Sequence, residues 1–122
     1  MSKIDFEKRT EYGTVQKVVM HSAAREVISK FPENVKFELG YLIYKLQLGE
    51  SFGPPRSKPL RAVTMGAHEL RVRGEDGIYR AFYYTKSRLG ILVFHAFIKK
   101  TQQVPDYEIE LGKKRLNELL EE

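Results

Sequence analysis

The chain has no cysteine among its 122 residues, which excludes disulfides, thiolate metal sites and a cysteine nucleophile. That absence suits a reducing compartment. No apolar run approaches the roughly 20 residues a membrane-spanning helix needs, and the opening MSKIDFEKRTEY lacks the apolar core of a signal peptide. A cytosolic protein is expected. The three histidines, His21, His68 and His95, lie too far apart in sequence to make a local metal motif. No P-loop, GxGxxG fingerprint, GxSxG elbow or zinc-type spacing occurs, so neither a metal nor a cofactor is expected. There is no internal repeat, low-complexity tract or linker. One core suits this length, and a single domain is expected over 1–122, with 1–12 as a loosely held lead-in.

What is present is an ordinary globular composition, 42% hydrophobic and 30% charged, with an uneven distribution of charge. Between Arg56 and Lys100 lie ten of the 21 lysines and arginines but only three of the 16 acids. The remainder holds eleven bases and thirteen acids, so the net charge of +5 comes from this one segment. Such a concentration of cation attracts a polyanion.

The same segment carries the clearest structural signals. In Glu69-Leu70-Arg71-Val72-Arg73 the period of two predicts a strand with Leu70 and Val72 facing a core and Glu69, Arg71 and Arg73 facing water. Gly74 to Gly77 predicts a reversal, Ile78 to Thr85 a second strand, Thr85 to Gly90 another reversal, and Ile91 to Ile98 a third, central strand. A three-stranded antiparallel meander results. Upstream, Gly13 to Met20 reads as a short strand that joins the edge or the middle of this sheet. A helix over Ala23 to Lys30 follows, with Ser22 as its N-cap, and Pro32 ends it and opens the next.

That next helix, Pro32 to Leu48, has two apolar faces at 100° per residue: Val35, Leu39, Leu42 and Leu46 on one, Phe37, Tyr41, Tyr44 and Leu48 on nearly the opposite one. Either both faces pack, against the first helix and the sheet, or Phe37, Tyr41 and Tyr44 stay open for a protein partner. Glu50 to Met65, with three prolines, reads as a loop. Pro105 opens a last helix with acids first and bases later, held by Ile109, Leu116 and Leu120, with Leu119 nearby. The fold class expected is α+β: an N-terminal strand and two-helix hairpin on an antiparallel sheet, with a C-terminal helix.

Chemistry follows from the charged residues of the meander. RNA is cut without a metal when its own 2′-OH attacks the adjacent phosphorus, which calls for a base, cations for the developing charge and an acid for the 5′ oxygen. Arg71, Arg73, Arg80, Lys99 and Lys100 are the candidate phosphate-binding cations, because a guanidinium donates two parallel hydrogen bonds to two oxygens and stays charged. A solvated outer face is the plainer reading. Arg80, alone among Ile78, Tyr79, Ala81, Phe82, Tyr83 and Tyr84, either lines a concave surface with its neighbours, the preferred reading, or pairs with an acid such as Glu69. His95 and Glu69 are candidate bases; the alternatives are a packed histidine with satisfied hydrogen bonds and a simple cross-strand ion pair. Tyr84 is the tyrosine assigned to base stacking, with core packing expected for two of Tyr79, Tyr83 and Tyr84.

Leu-Arg-Val-Arg at 70–73, Gly-Ile-Tyr-Arg-Ala-Phe-Tyr at 77–83, His-Ala-Phe-Ile-Lys-Lys-Thr at 95–101 and Pro-Asp-Tyr-Glu-Ile-Glu at 105–110 together resemble the phage-derived Gp49-like branch of the RelE/HigB toxin superfamily. The likeness runs from about Gly13 to Leu120, with its blocks in the family's order. It implies the toxin of a type II toxin–antitoxin pair: a ribosome-associated endoribonuclease (an mRNA interferase) acting on messenger RNA and silenced by a helix-turn-helix antitoxin of the HigA/Xre kind. It also implies that Arg80 stands where the family contacts substrate phosphate. Where RelE-type enzymes carry a late catalytic tyrosine, this chain has only Tyr107, which leaves the general base unassigned. Two other functions share the scaffold: a ParE-like toxin that grips a protein target such as gyrase without cutting RNA, and a non-catalytic nucleic-acid-binding module.

Overall fold

A computed structural model of the chain describes residues 15–99 and 103–121; the lead-in expected over 1–12, and Lys100, lie outside the described residues. Its elements are β1 (Val18–Met20), α1 (Ser22–Ser29), α2 (Glu33–Gln47), β2 (Ser57–Pro59), β3 (Ala67–Arg73), β4 (Ile78–Ser87), β5 (Gly90–Lys99) and α3 (Asp106–Leu120). The expected α+β class is the one found. One sheet has the order β1-β5-β4-β3-β2. The meander β3-β4-β5 is antiparallel throughout, while β1 joins the β5 edge in parallel, so the sheet is mixed. The stretch 50–65, expected as pure loop, contains β2, which pairs Ser57, Lys58 and Pro59 with Leu70, Glu69 and His68. A proline ends that short strand at the edge of the sheet, where no further partner needs its missing N–H.

Helices cover both faces. On one side α1 and α2 bury Val35, Leu39, Leu42 and Leu46 against Leu70, Val72, Tyr79, Ala81 and Tyr83. On the other, α3 sets Leu116 and Leu119 against Phe82, Leu92 and Phe94. Leu119, rather than Leu120, is the buried leucine of that last turn. The helix is rolled toward Gly112, whose missing side chain lets it approach the Phe82 ring: a Cβ there would lie 3.0 Å from Cδ2. Only one face of α2 packs. Phe37 is 79% exposed, and Tyr41, Tyr44 and Leu48 are also open, so the reading in which both faces are buried is corrected. The cap of α1 is corrected too. His21, not Ser22, is the N-cap, its Nδ1 accepting the Ala23 N–H at 3.0 Å.

A bulge in β5 changes which residues share a face. Phe82 pairs with His95 but Tyr83 pairs with Val93, leaving Phe94 as the extra residue. Strict alternation puts His95 with Ile91 and Val93 and opposite Phe94; in the fold Ile91 and Val93 belong to the α1–α2 core, and Phe94 belongs with His95 on the α3 side. The register of β1 on β5 is fixed at Gly90, whose φ of 121° and absent Cβ let Lys17 O come in to accept the Ile91 N–H at 2.8 Å. A Cβ at Gly90 would stand 2.3 Å from that oxygen. Gly90→Ala is therefore expected to destabilise the fold by about 2 kcal/mol or more in denaturant unfolding; an unchanged midpoint would contradict this account of the edge.

Candidate functional site

Register places the charged residues of the meander in three rows on the α3 side of the sheet. Glu69, Phe82 and His95 form the first, Arg71, Arg80 and Phe97 the second, and Arg73, Ile78 and Lys99 the third. Directly opposed residues project to the same face, so the alternation in β3 does bring Glu69, Arg71 and Arg73 together. α3 packs on Phe82 and His95 of the first row; in the third, Arg73 is exposed and Lys99 is buried.

Between them lies a buried ion pair. Arg80 Nη1 donates to Glu69 Oε2 at 2.5 Å, with Arg80 only 2% exposed and Glu69 fully buried. Pairing with Glu69 is thus the arrangement found, in place of the preferred open concavity. Charges this deep persist only when they are partnered. The pair is not saturated. Arg80 Nε, Glu69 Oε1 and the neighbouring Arg71 Nε are buried without a hydrogen-bond partner. Lys99, in the next row, is 4% exposed, and its ammonium is held below the ordinary lysine range, first by burial and then by the Arg80 guanidinium. Lys58 and Arg71 push the same way, and Glu69 opposes them.

At the open end Arg56, Arg71 and Arg73 line a cavity of about 330 Å³ together with Glu38, Pro55 and Ile78. No carboxylate among the described residues pairs with these three arginines. Among the described residues, six cations, Arg56, Lys58, Arg71, Arg73, Arg80 and Lys99, gather here with two carboxylates, Glu38 and Glu69. An excess of cation at one end of a sheet attracts anions. Arg56 and Lys58 arrive from the segment expected as loop. Their charge was visible in the sequence, but their place beside β3 depended on the β2–β3 pairing.

His95 is differently engaged. Arg115 Nη1 donates to its Nδ1 at 2.9 Å, and its Nε2 meets Glu108 Oε1 at 2.6 Å. A guanidinium only donates, so Nδ1 is unprotonated and the ring is the neutral Nε2–H tautomer giving its proton to Glu108. His21 repeats the arrangement, accepting the Ala23 N–H at Nδ1 and bonding Glu118 through Nε2 at 2.6 Å. The two rings thus hold α3 to the body. Glu108 and Arg115, seven apart and so on one helix face, escaped the sequence reading because their charges were assigned to the helix dipole. Tyr84 packs under α3 beside Val63, Leu116 and Leu120, four residues and so about 13 Å along the strand from Arg80. Tyr79 and Tyr83 are core residues. Tyr107, in the first turn of α3, is exposed.

With this geometry established, comparison with known proteins is informative. The family model for phage-derived Gp49-like proteins matches residues 26–117. The chain belongs to the Gp49-like family. That family is the RelE/HigB-like toxin branch, and α2 and strands β2 to β5, which carry the clustered cations, fall inside the matched span. No curated protein and no solved structure matches the chain. Among the described residues of this Gp49-like chain, no helix is long and apolar enough to cross a membrane.

Burial comes first among the causes that hold the His95 pKa below its ordinary 6.5, with Arg115 and His21 adding to it and Glu108 opposing. Between the folded value and 6.5 the unfolded chain binds the proton that folded His95 refuses. Stability is therefore complete above about pH 6.5 and falls as the pH drops below it. Denaturant midpoints measured from about pH 7.5 down to about 5.5 should fall, and His95→Gln should flatten that dependence; an equally steep fall in the variant would assign it to other groups.

Proposed function

We propose that this protein is the toxin of a toxin–antitoxin pair and that it cleaves messenger RNA on the ribosome without a metal. The observation that carries the reading is the convergence of Arg56, Arg71 and Arg73, unpaired by acids, with Arg80 and Lys99 on one sheet face.

In this reading Glu69 fixes Arg80, whose buried charge adds to the field of the site, and Arg71 and Arg73 hold the scissile phosphate by bidentate donation, stabilising the charge of the phosphorane. Lys99 is the proton carrier. Its lowered pKa raises the fraction of neutral amine that can take the proton of the attacking 2′-OH. The 2′-oxygen bonds to phosphorus, the bond to the 5′-oxygen breaks as the Lys99 ammonium returns the proton to that oxygen, and the products are a 2′,3′-cyclic phosphate and a 5′-OH. Lys100, outside the described residues, is a further phosphate-binding cation in this scheme. His95 stays outside the chemistry because both of its nitrogens hold α3, and Tyr84 stays outside it because of its distance along β4.

The antitoxin, a helix-turn-helix protein of the HigA/Xre kind, docks on Phe37, Tyr41 and Tyr44. These side chains present an aromatic stripe on α2 that nothing in the described chain covers, and aromatic residues anchor interfaces. Glu38, on the rim of the arginine cavity, is a helical neighbour of Tyr41, so a partner on this stripe also reaches the mouth of the site.

Incubating the purified protein with translating ribosomes and mapping new RNA ends tests the proposal. Cyclic-phosphate ends are expected, with Arg71→Ala and Lys99→Met each losing roughly a hundredfold or more in rate while keeping the fold. Growth inhibition without new RNA ends would instead favour a ParE-like grip on a protein target.

A further inference from the structure

The carboxylate of Glu38 is out of place in a phosphate site. It lines the same cavity as Arg56, Arg71 and Arg73, yet no ion pair among the described residues ties it to any of them. An acid there weakens the field on any phosphate. It has a use, however, if part of the ligand donates hydrogen bonds. Pro55 and Ile78 give the cavity an apolar part to its lining, and its volume of about 330 Å³ sits at the lower end of the range for small-molecule sites. A flat group with a hydrogen-bonding rim suits such a space.

The rim can be specified. A carboxylate only accepts, through two adjacent oxygens, and a guanidinium only donates, through paired N–H groups. Among the RNA bases guanine alone offers two adjacent donors, N1–H and the 2-amino group, on one edge and two acceptors, O6 and N7, on another. Adenine and cytosine present one donor beside an acceptor, so the second carboxylate oxygen would face a lone pair. Uracil flanks its single N–H with two carbonyls. Guanidinium groups favour the same base, since O6 and N7 of guanine are the commonest bidentate target of arginine.

From this arrangement we infer that the cavity between α2 and the open end of β3 is a guanine-binding subsite, with Glu38 accepting from N1–H and the 2-amino group and Arg56 or Arg73 donating to O6 and N7. The inference rests on the RNA-cleaving reading. Arg71 belongs to both places, lining the cavity and standing beside Arg80 in the second row. The phosphate attached to a bound guanosine is then the one delivered to Arg71 beside Lys99, and the preferred cleavage position lies next to a guanosine in single-stranded RNA, whose base edges are free to be read.

Titrating the intact protein with the 5′-monophosphates of guanosine, inosine, adenosine, cytidine and uridine separates base from phosphate recognition. Guanosine monophosphate should bind roughly tenfold tighter than the adenosine, cytidine and uridine compounds. Inosine monophosphate, which lacks the 2-amino group, should fall between. Glu38→Gln changes an exposed residue and should leave the far-ultraviolet circular dichroism unaltered. Removing its charge raises the affinity of all five anions together, so the diagnostic quantity is the guanosine-to-adenosine ratio, which should fall to about one. Equal binding of all five, or a ratio that survives Glu38→Gln, would overturn the guanine subsite while leaving the phosphate site standing. Failure of every nucleotide to bind would overturn both.

Discussion

Glu69 and Arg80 form a buried ion pair on the α3 side of the sheet, and the other cations of the site lie around it. A guanidinium at that depth with no partner would be costly, and removing the carboxylate from such a pair typically costs roughly 3–5 kcal/mol. With Glu69 in place, Arg80 is fixed in the second row. Arg71, Arg73 and Lys99 then gather beside it, and Arg56 and Lys58 close in from β2 and the turn before it. One buried acid thus stands at the centre of a cluster in which, among the described residues, cations outnumber anions. The unpaired Nε atoms of Arg71 and Arg80 and the unpaired Oε1 of Glu69 indicate hydrogen-bonding capacity that the described protein atoms do not use.

The two helical layers serve this sheet differently. α1 and α2 supply most of the apolar burial, and α2 does so with only half of its apolar surface, leaving the aromatic half exposed. α3 is fastened by polar contacts as much as by apolar ones. Its Glu108, Arg115 and Glu118 are held by two histidines, one in β5 and one at the cap of α1. One of these attachments, His95, has its pKa held below the ordinary value by burial.

Local periodicity made much of this legible in the sequence. The alternation of Leu70 and Val72 with Glu69, Arg71 and Arg73, the glycine-marked reversals and the two faces of α2 all follow from spacings within a few residues, and the strands and helix appear where those spacings place them. What was not legible depends on contacts between distant segments. Nothing local marks Phe94 as a bulge, so strand parity misplaced His95 relative to Ile91 and Val93. The open aromatic face of α2 was one of two readings that the sequence left standing, and only the packing of the other face decides between them. The partners of Arg80 and His95 were beyond reach for the same reason: Glu69 was a named alternative, but Glu108 and Arg115 acquire their role only when α3 crosses β5.

The central claim is that the guanidinium groups around the Glu69–Arg80 pair bind RNA phosphate directly. Its most direct test is the salt dependence of affinity for a short single-stranded RNA, measured with the intact protein and with Arg71→Ala. Each phosphate neutralised contributes about −0.7 to the slope of log K against log salt, so three contacts predict a slope near −2, made shallower by about 0.7 in the variant. A slope near zero, or one that Arg71→Ala leaves unchanged, would contradict the account.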